Sequence, residues 1–346
     1  MKPHDPRVTV VMSAFNAEAT LRSALESLRR QHFDRFEVVV VDDGSTDATA
    51  DIARSWPDER VRLVQNVRHC GLAMARNLGI AEARGEYIAL LDAHCCALPQ
   101  RLAEQVAALD ADPELRLVGS HLAVINAHGK LGDIWMRPTS AAETRIQMLF
   151  RDALSGVTFR KSAMPEGGFR ALPAGVDFDF NARVAAGGKV CNLDRTLTAV
   201  RLLPSKPSWE QKVLAENCMR GIMRSQLRRF GVEASERELA VNRHVGGHTL
   251  FPTVQLLQDV EAWLLKLCLA NWELQRYPDP DFKRLLGYEW YQVCKCASPL
   301  GREALRVWRS SPLLKHWQPG VLELARFVTK CLLRHERLED DMPALA

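Results

Sequence analysis

The chain has 346 residues, 47% of them hydrophobic and 25% charged, the profile of a soluble globular protein with room for two domains. A net charge of +4, with no Lys/Arg block interleaved with aromatics, excludes a nucleic-acid binder recognised by its charge. The nine cysteines follow neither a zinc nor a disulfide spacing, so reduced thiols in a cytoplasmic protein are expected.

The first six residues, Met1-Lys2-Pro3-His4-Asp5-Pro6, lack the apolar core of a signal peptide. No segment reaches the ~18 consecutive apolar residues of a membrane span, so any membrane contact is expected to be peripheral. Residues 8–15 (VTVVMSAF) read as a buried strand. Asn16 follows as a helix-capping type, and Leu21, Leu25 and Leu28 give an apolar stripe over a helix from Ala17 to Arg30. Strand Phe36–Val41 runs into Asp42-Asp43-Gly44-Ser45-Thr46-Asp47. Helix Ala48–Ser55, strand Val61–Gln65, helix Leu72–Ala83 and strand Tyr87–Leu91 come next. The strands are continuous apolar runs, as a parallel sheet covered by helices on both faces requires. Such sheets bind ligands beyond the carboxyl ends of their strands. That singles out Asn16, Asp42-Asp43 and Asp92-Ala93-His94. After about Trp209 helix periodicity takes over, and residues 209–346 are expected to form an all-helical region behind an α/β domain of residues 1–208.

Three clusters have the right chemistry. Asp42 and Asp43 can accept hydrogen bonds from a nucleobase or a ribose, with Gly44 allowing a tight turn beside the ligand; they equally suit a strand-end turn that caps the next helix. Asp92 and His94 project to one side of an extended segment and are good ligands for Mn²⁺; they also suit a capped loop with a packed histidine. Asp177 and Asp179 stand at the start of a helix predicted over Asp179–Ala186, where acids favour the helix dipole, or where one of them serves as a general base.

Taken together, VTVVMSAFNAEATLRSALESL, FEVVVVDDGSTDATADIA, GLAMARNLGIAEARGEYIALLDAHCCALPQRL, GVTFRKSAMPEGGFRAL and GVDFDFNARVAAGGKV resemble glycosyltransferase family 2, over residues 6–205. The resemblance implies a GT-A fold: a Rossmann-like, mostly parallel sheet flanked by helices. It implies an inverting, metal-dependent transfer from a nucleotide sugar, UDP-linked, to a glycan or lipid-linked acceptor in polysaccharide biosynthesis. Asp42 and Asp43 match the family's nucleoside-binding acids, with Ala14, Asn16, Gly71, Arg76, Asp92 and Ala93 also at the nucleotide. Asp92 and His94 stand at the position that binds the diphosphate and its Mn²⁺ or Mg²⁺. Asp177 matches the catalytic base, and Arg183 the basic residue on the following helix. The sequence departs from the family at His94, usually a second Asp, at Val176, usually Glu, and at Leu203, where many relatives have His.

Two basic helical patterns bear on a peripheral membrane contact. Arg220, Arg224 and Arg228 share one face, and Leu322–Leu333 repeats the pattern with Arg326, Lys330 and Arg334. Each also suits a solvated face whose apolar side packs on the protein. His244 and His248 are four apart, but Gly246-Gly247 between them argues against a helical metal pair. Two other functions bear comparison with these residues. A non-catalytic member acting as a binding or assembly partner fits the changes at 94 and 176. A sugar-nucleotide pyrophosphorylase does not fit, because Ser13-Ala14-Phe15-Asn16-Ala17 is no Gly-rich basic phosphate loop.

Overall fold

A computed structural model describes residues 5–126, 129–202, 207–247 and 252–333. The chain forms two compact units. One comprises residues up to Thr144 together with Asp152–Gln211; the other comprises Arg145–Arg151 and the chain from Lys212 onward.

The first unit is built on β1 (Val8–Ala14), α1 (Leu21–Arg29), β2 (Phe36–Asp42), α2 (Thr49–Arg54), β3 (Val61–Gln65), α3 (Leu72–Ala81) and β4 (Tyr87–Leu90). It continues with β5 (Cys95–Ala97), α4 (Arg101–Ala111), β6 (Leu115–Ile125), β7 (Leu131–Trp135), α5 (Ala141–Gln147), β8 (Thr158–Arg160), α6 (Val176–Ala186) and β9 (Lys189–Arg201). Every residue of β1, β2 and β4 is buried, which explains their unbroken apolar runs. The described strands form one sheet in the order β3-β2-β1-β4-β8-β6-β9-β5, with β7 paired to β6. The β3-β2-β1-β4 part is parallel, β8 is antiparallel to both neighbours, and β6 and β9 run parallel. The sheet is therefore of the expected α/β kind but mixed. Its second half comes from residues 95–201, where no strand had been predicted because these strands are short or interrupted by polar residues.

Local differences have local causes. Asn16 is no helix cap: it adopts the left-handed conformation (φ 46°), and its side-chain oxygen accepts from the Thr46 N–H at 2.9 Å. α1 consequently starts at Leu21 rather than Ala17. α6 begins three residues earlier than predicted, at Val176, behind a left-handed Gly175. Glu37 is buried within β2 and accepts from Thr9 Oγ1 (2.7 Å) and the Arg84 N–H (2.8 Å), while Thr9 Oγ1 accepts from the Gly85 N–H. The Ala83-Arg84-Gly85-Glu86-Tyr87 stretch is thus a clasp between strands.

The second unit contains most of α7 (Trp209–Phe230), with α8 (Glu236–Gly247), α9 (Val254–Leu274), α10 (Asp279–Cys296), α11 (Arg302–Ser310) and α12 (Val321–Leu333). Its core joins Trp263, Phe282, Trp290, Tyr291, Trp308 and Phe327 to Ile146, Leu149 and Phe150. α8 includes both glycines and is described as far as Gly247. Gly246 lies so close to Phe150 that a Cβ would overlap that residue's carbonyl oxygen, so glycine here permits a close crossing. His248 lies outside the described residues. Among these residues no helix is long and apolar enough to cross a membrane.

Candidate active site

The parallel register sets Ala14 opposite Asp42 and Val11 opposite Leu90, so the carboxyl ends of β1, β2 and β4 open at one edge. Beyond them lies a hollow of about 200 Å³ lined by Ser13, Ala14, Phe15, Asp43, His69, Leu72, Ala75, Asp92 and His94.

Asp42 and Asp43 are each 2% exposed. Asp42 accepts from the Ser45 N–H (3.2 Å) and Gln65 Nε2 (3.2 Å). Asp43 accepts from Asn66 Nδ2 (2.7 Å) and the N–H groups of Cys70 (3.0 Å) and Gly71 (2.8 Å), and pairs with His69 Nδ1 at 2.8 Å. It fixes the whole 66–71 loop against the strand end. Gly44 (φ 75°) is required by that packing, since a Cβ would fall 2.6 Å from the Arg68 carbonyl carbon. Phe15 stacks on His69, ring centroids 4.0 Å apart, and the pair forms the aromatic wall of the hollow. Asn16 ties the β1 loop to the one after β2, with its N–H donating to Ser45 Oγ. Ala93 is core-buried, and its N–H donates to the Ser13 carbonyl.

Arg76 is the centre of the charge arrangement. It projects from α3, is 3% exposed, and donates through Nη2 to both oxygens of Asp92 (3.0 and 3.2 Å) and through Nη1 to Asp177. Its ion sits 5.3 Å from the Phe169 ring. Burial opposes the charge, but the carboxylates of Asp177 and Asp92 raise the guanidinium above its ordinary value. Burial likewise pushes Asp92 up, yet Arg76 outweighs it, and the carboxyl titrates below the usual range. Asp92 also accepts from Ser13 Oγ at 2.8 Å.

The two acids of α6 separate clearly. Asp179 is buried and committed to Arg183 (Nε–Oδ2 2.8 Å), with Arg170 at 3.5 Å. Arg183 further donates to the Gly168 carbonyl, so both residues brace the α6 entrance. Asp177 keeps half its side chain exposed and reaches Arg76. Val176 is buried. Leu203 lies outside the described residues.

A further acid, not singled out from the sequence, is Asp152. It accepts from the Leu154 N–H (3.1 Å) and from Asn181 Nδ2 (3.0 Å), one helical turn beyond Asp177. Burial first, and then the charge of Asp177, push its carboxyl up to about 7. Ser13, Phe15 and His69 also line the hollow, and only their place at strand and loop ends marks them in the sequence.

Asp92, His94 and Cys95 offer ligand atoms within 4.8 Å of one another. Carboxylate, imidazole and thiol make a mixed O, N, S set that suits a divalent transition ion, with the carboxylate and imidazole matching Mn²⁺. The donor chemistry thus fits the metal implied by the sequence resemblance.

A sheet of this topology, open beside paired acids at its parallel edge, is of the GT-A type. Residues 9–174 match the model of glycosyl transferase family 2. A Bacillus subtilis protein named as the glycosyltransferase EpsE is 35% identical over 130 residues, covering 37% of this chain and 47% of EpsE. The succinoglycan biosynthesis protein ExoO of Rhizobium meliloti is 42% identical over 121 residues, covering 35% of this chain and 33% of ExoO. The chain therefore spans half or less of these two relatives. A crystal structure of S. aureus TarS residues 1–349 in complex with UDP-GlcNAc shares the fold, with a TM-score of 0.55 at 17% identity, over 88% of this chain and 91% of that one.

Proposed function

We propose that the chain is an inverting glycosyltransferase of polysaccharide biosynthesis, moving a sugar from a UDP-linked donor to a hydroxyl of a glycan or lipid-linked acceptor on the cytoplasmic side. The observation that carries this reading is the Asp92–Arg76–Asp177 bridge beside the hollow at the strand ends. The fold shared with TarS, itself solved with UDP-GlcNAc, supports a uridine nucleotide.

In this reading the nucleoside lies against Ala14, Phe15 and His69, within loops held by Asn16, Asp42, Asp43 and Gly71. Asp92 and His94, with the Cys95 thiol beside them, would hold Mn²⁺ or Mg²⁺, which when bound supplies Lewis-acid neutralisation of diphosphate charge. Asp177 accepts the proton of the acceptor hydroxyl as that oxygen attacks the anomeric carbon. The C–O bond to the diphosphate breaks in the same displacement, inverting the configuration. Arg76 orients Asp177 and maintains local charge balance.

Asp177→Asn should lower transfer by roughly 10²–10⁴-fold with the fold intact. Product release from radiolabelled UDP-sugars checks this. A near-wild-type rate in the variant would remove Asp177 from the role of base. No transfer from any donor by the folded wild type would leave a non-catalytic binding protein instead.

A further inference from the structure

Of the two basic helical patterns in the sequence, one is neutralised in the structure. On α7, Arg220 pairs with Glu216, Arg224 with Glu236 and Arg228 with Glu233. A face so neutralised exerts little pull on an anionic surface.

α11 and α12 are different. Arg302, Arg306 and Arg309 recur along one face of α11, while Ala304, Leu305, Val307 and Trp308 are buried on the other. With Leu305, Ser310 and Leu332, the three arginines line an open hollow of about 640 Å³. Arg326 and Lys330 are exposed on α12. Among the described residues none of these five cations has an ion-pair partner, and Glu303 and Glu323 are the only acids on the two helices. α12 buries just Phe327 and Cys331. It leaves Val321, Leu322, Leu332 and Leu333 between 56% and 87% exposed.

We propose that the α11–α12 face docks on an anionic lipid bilayer, with lipid phosphates in the arginine-lined hollow and the four aliphatic side chains in the headgroup boundary. Unpaired cations and exposed aliphatics on one face need a partner that is both an anion and an apolar phase, and a bilayer surface is both. Free phosphate would engage the arginines and leave the aliphatics in water. The proposal deepens the lipid-linked acceptor reading and rests on it for its purpose, but docking is measurable without turnover.

The test is co-sedimentation of the full chain with vesicles of phosphatidylglycerol and phosphatidylcholine, or of phosphatidylcholine alone. The wild type should pellet with the anionic vesicles and remain in solution with the neutral ones. R302E/R306E/R309E should lower the partition coefficient by at least about 100-fold, at ~5-fold per cation lost, and L322E/L333E should also abolish pelleting. R220E/R224E on α7 should bind as the wild type. The side chains substituted on α11 and α12 are exposed and the two on α7 are half-buried, and unchanged thermal midpoints would exclude unfolding. Absence of pelleting, equal pelleting with neutral vesicles, or wild-type binding by the triple variant would overturn the proposal. So would self-association in solution that the triple variant abolishes, since the occupant would then be a second copy. Docking without sugar transfer would sink the enzymatic reading alone; transfer to a soluble acceptor without docking would sink this one alone.

Discussion

Arg76 lies with its guanidinium between Asp92 and Asp177, two carboxylates that would otherwise repel. Asp152 takes its hydrogen bonds from the neutral Leu154 N–H and Asn181 side chain, and the nearby charge of Arg137 does not offset its burial. A carboxyl raised to about 7 in the fold, against about 3.9 unfolded, favours the native state most when protonated. Its contribution is complete below about pH 4 and is lost as pH rises through 7. Asp152→Asn removes this titration. The melting-temperature difference, variant minus wild type, should therefore grow by several degrees between pH 5 and pH 8, as read by thermal unfolding at both values. A constant difference would mean that Asp152 ionises normally. The residue types at 42, 43, 92, 94 and 177 were legible in the sequence because each follows a strand or opens a helix. Asp152 was not, since a lone Asp in an irregular stretch carries no periodic signal. The resemblance singles out Asp177 over Asp179, and the structure adds that Arg183 engages Asp179.

At the scale of elements, the parallel strands β1, β2, β3 and β4 were legible because burial on both faces demands apolar runs that no exposed segment needs. β8 and β5 span three residues each, too short for any pattern to register. Their pairing is set by strands far along the chain. α8 shows the same limit in a helix. Gly246-Gly247 reads as a stop by propensity, while the close approach of Gly246 to Phe150 is a second demand for glycine that propensity does not contain. Gly246→Ala should destabilise the helical unit by about 1–3 kcal/mol, the usual cost of overpacking, despite alanine's better helix propensity. Urea unfolding followed by tryptophan fluorescence checks this, and a stabilised variant would show that the crossing relaxes freely.

For the molecule as a whole, the helical unit holds a buried charge of its own. Glu289 is fully buried and pairs with Arg151, drawing Arg145–Arg151 into that unit although the neighbouring residues belong to the sheet unit. Arg151→Met takes away the cation that neutralises Glu289 and should cost about 3–5 kcal/mol. R151M/E289Q should recover much of the loss, and chemical denaturation of both variants checks it. If the double variant is as unstable as the single one, packing rather than charge accounts for the effect. Sequence alone determined the α/β class, the order of the first seven elements, the strand-end acids and the helical character of the C-terminal part, because each rests on local periodicity and residue type. Tertiary structure alone decided the Arg76–Asp177 pairing across 101 positions, the capture of Asp43 by the 66–71 loop, and which basic helix keeps its charge. Those outcomes depend on where distant segments meet, and no local pattern encodes that.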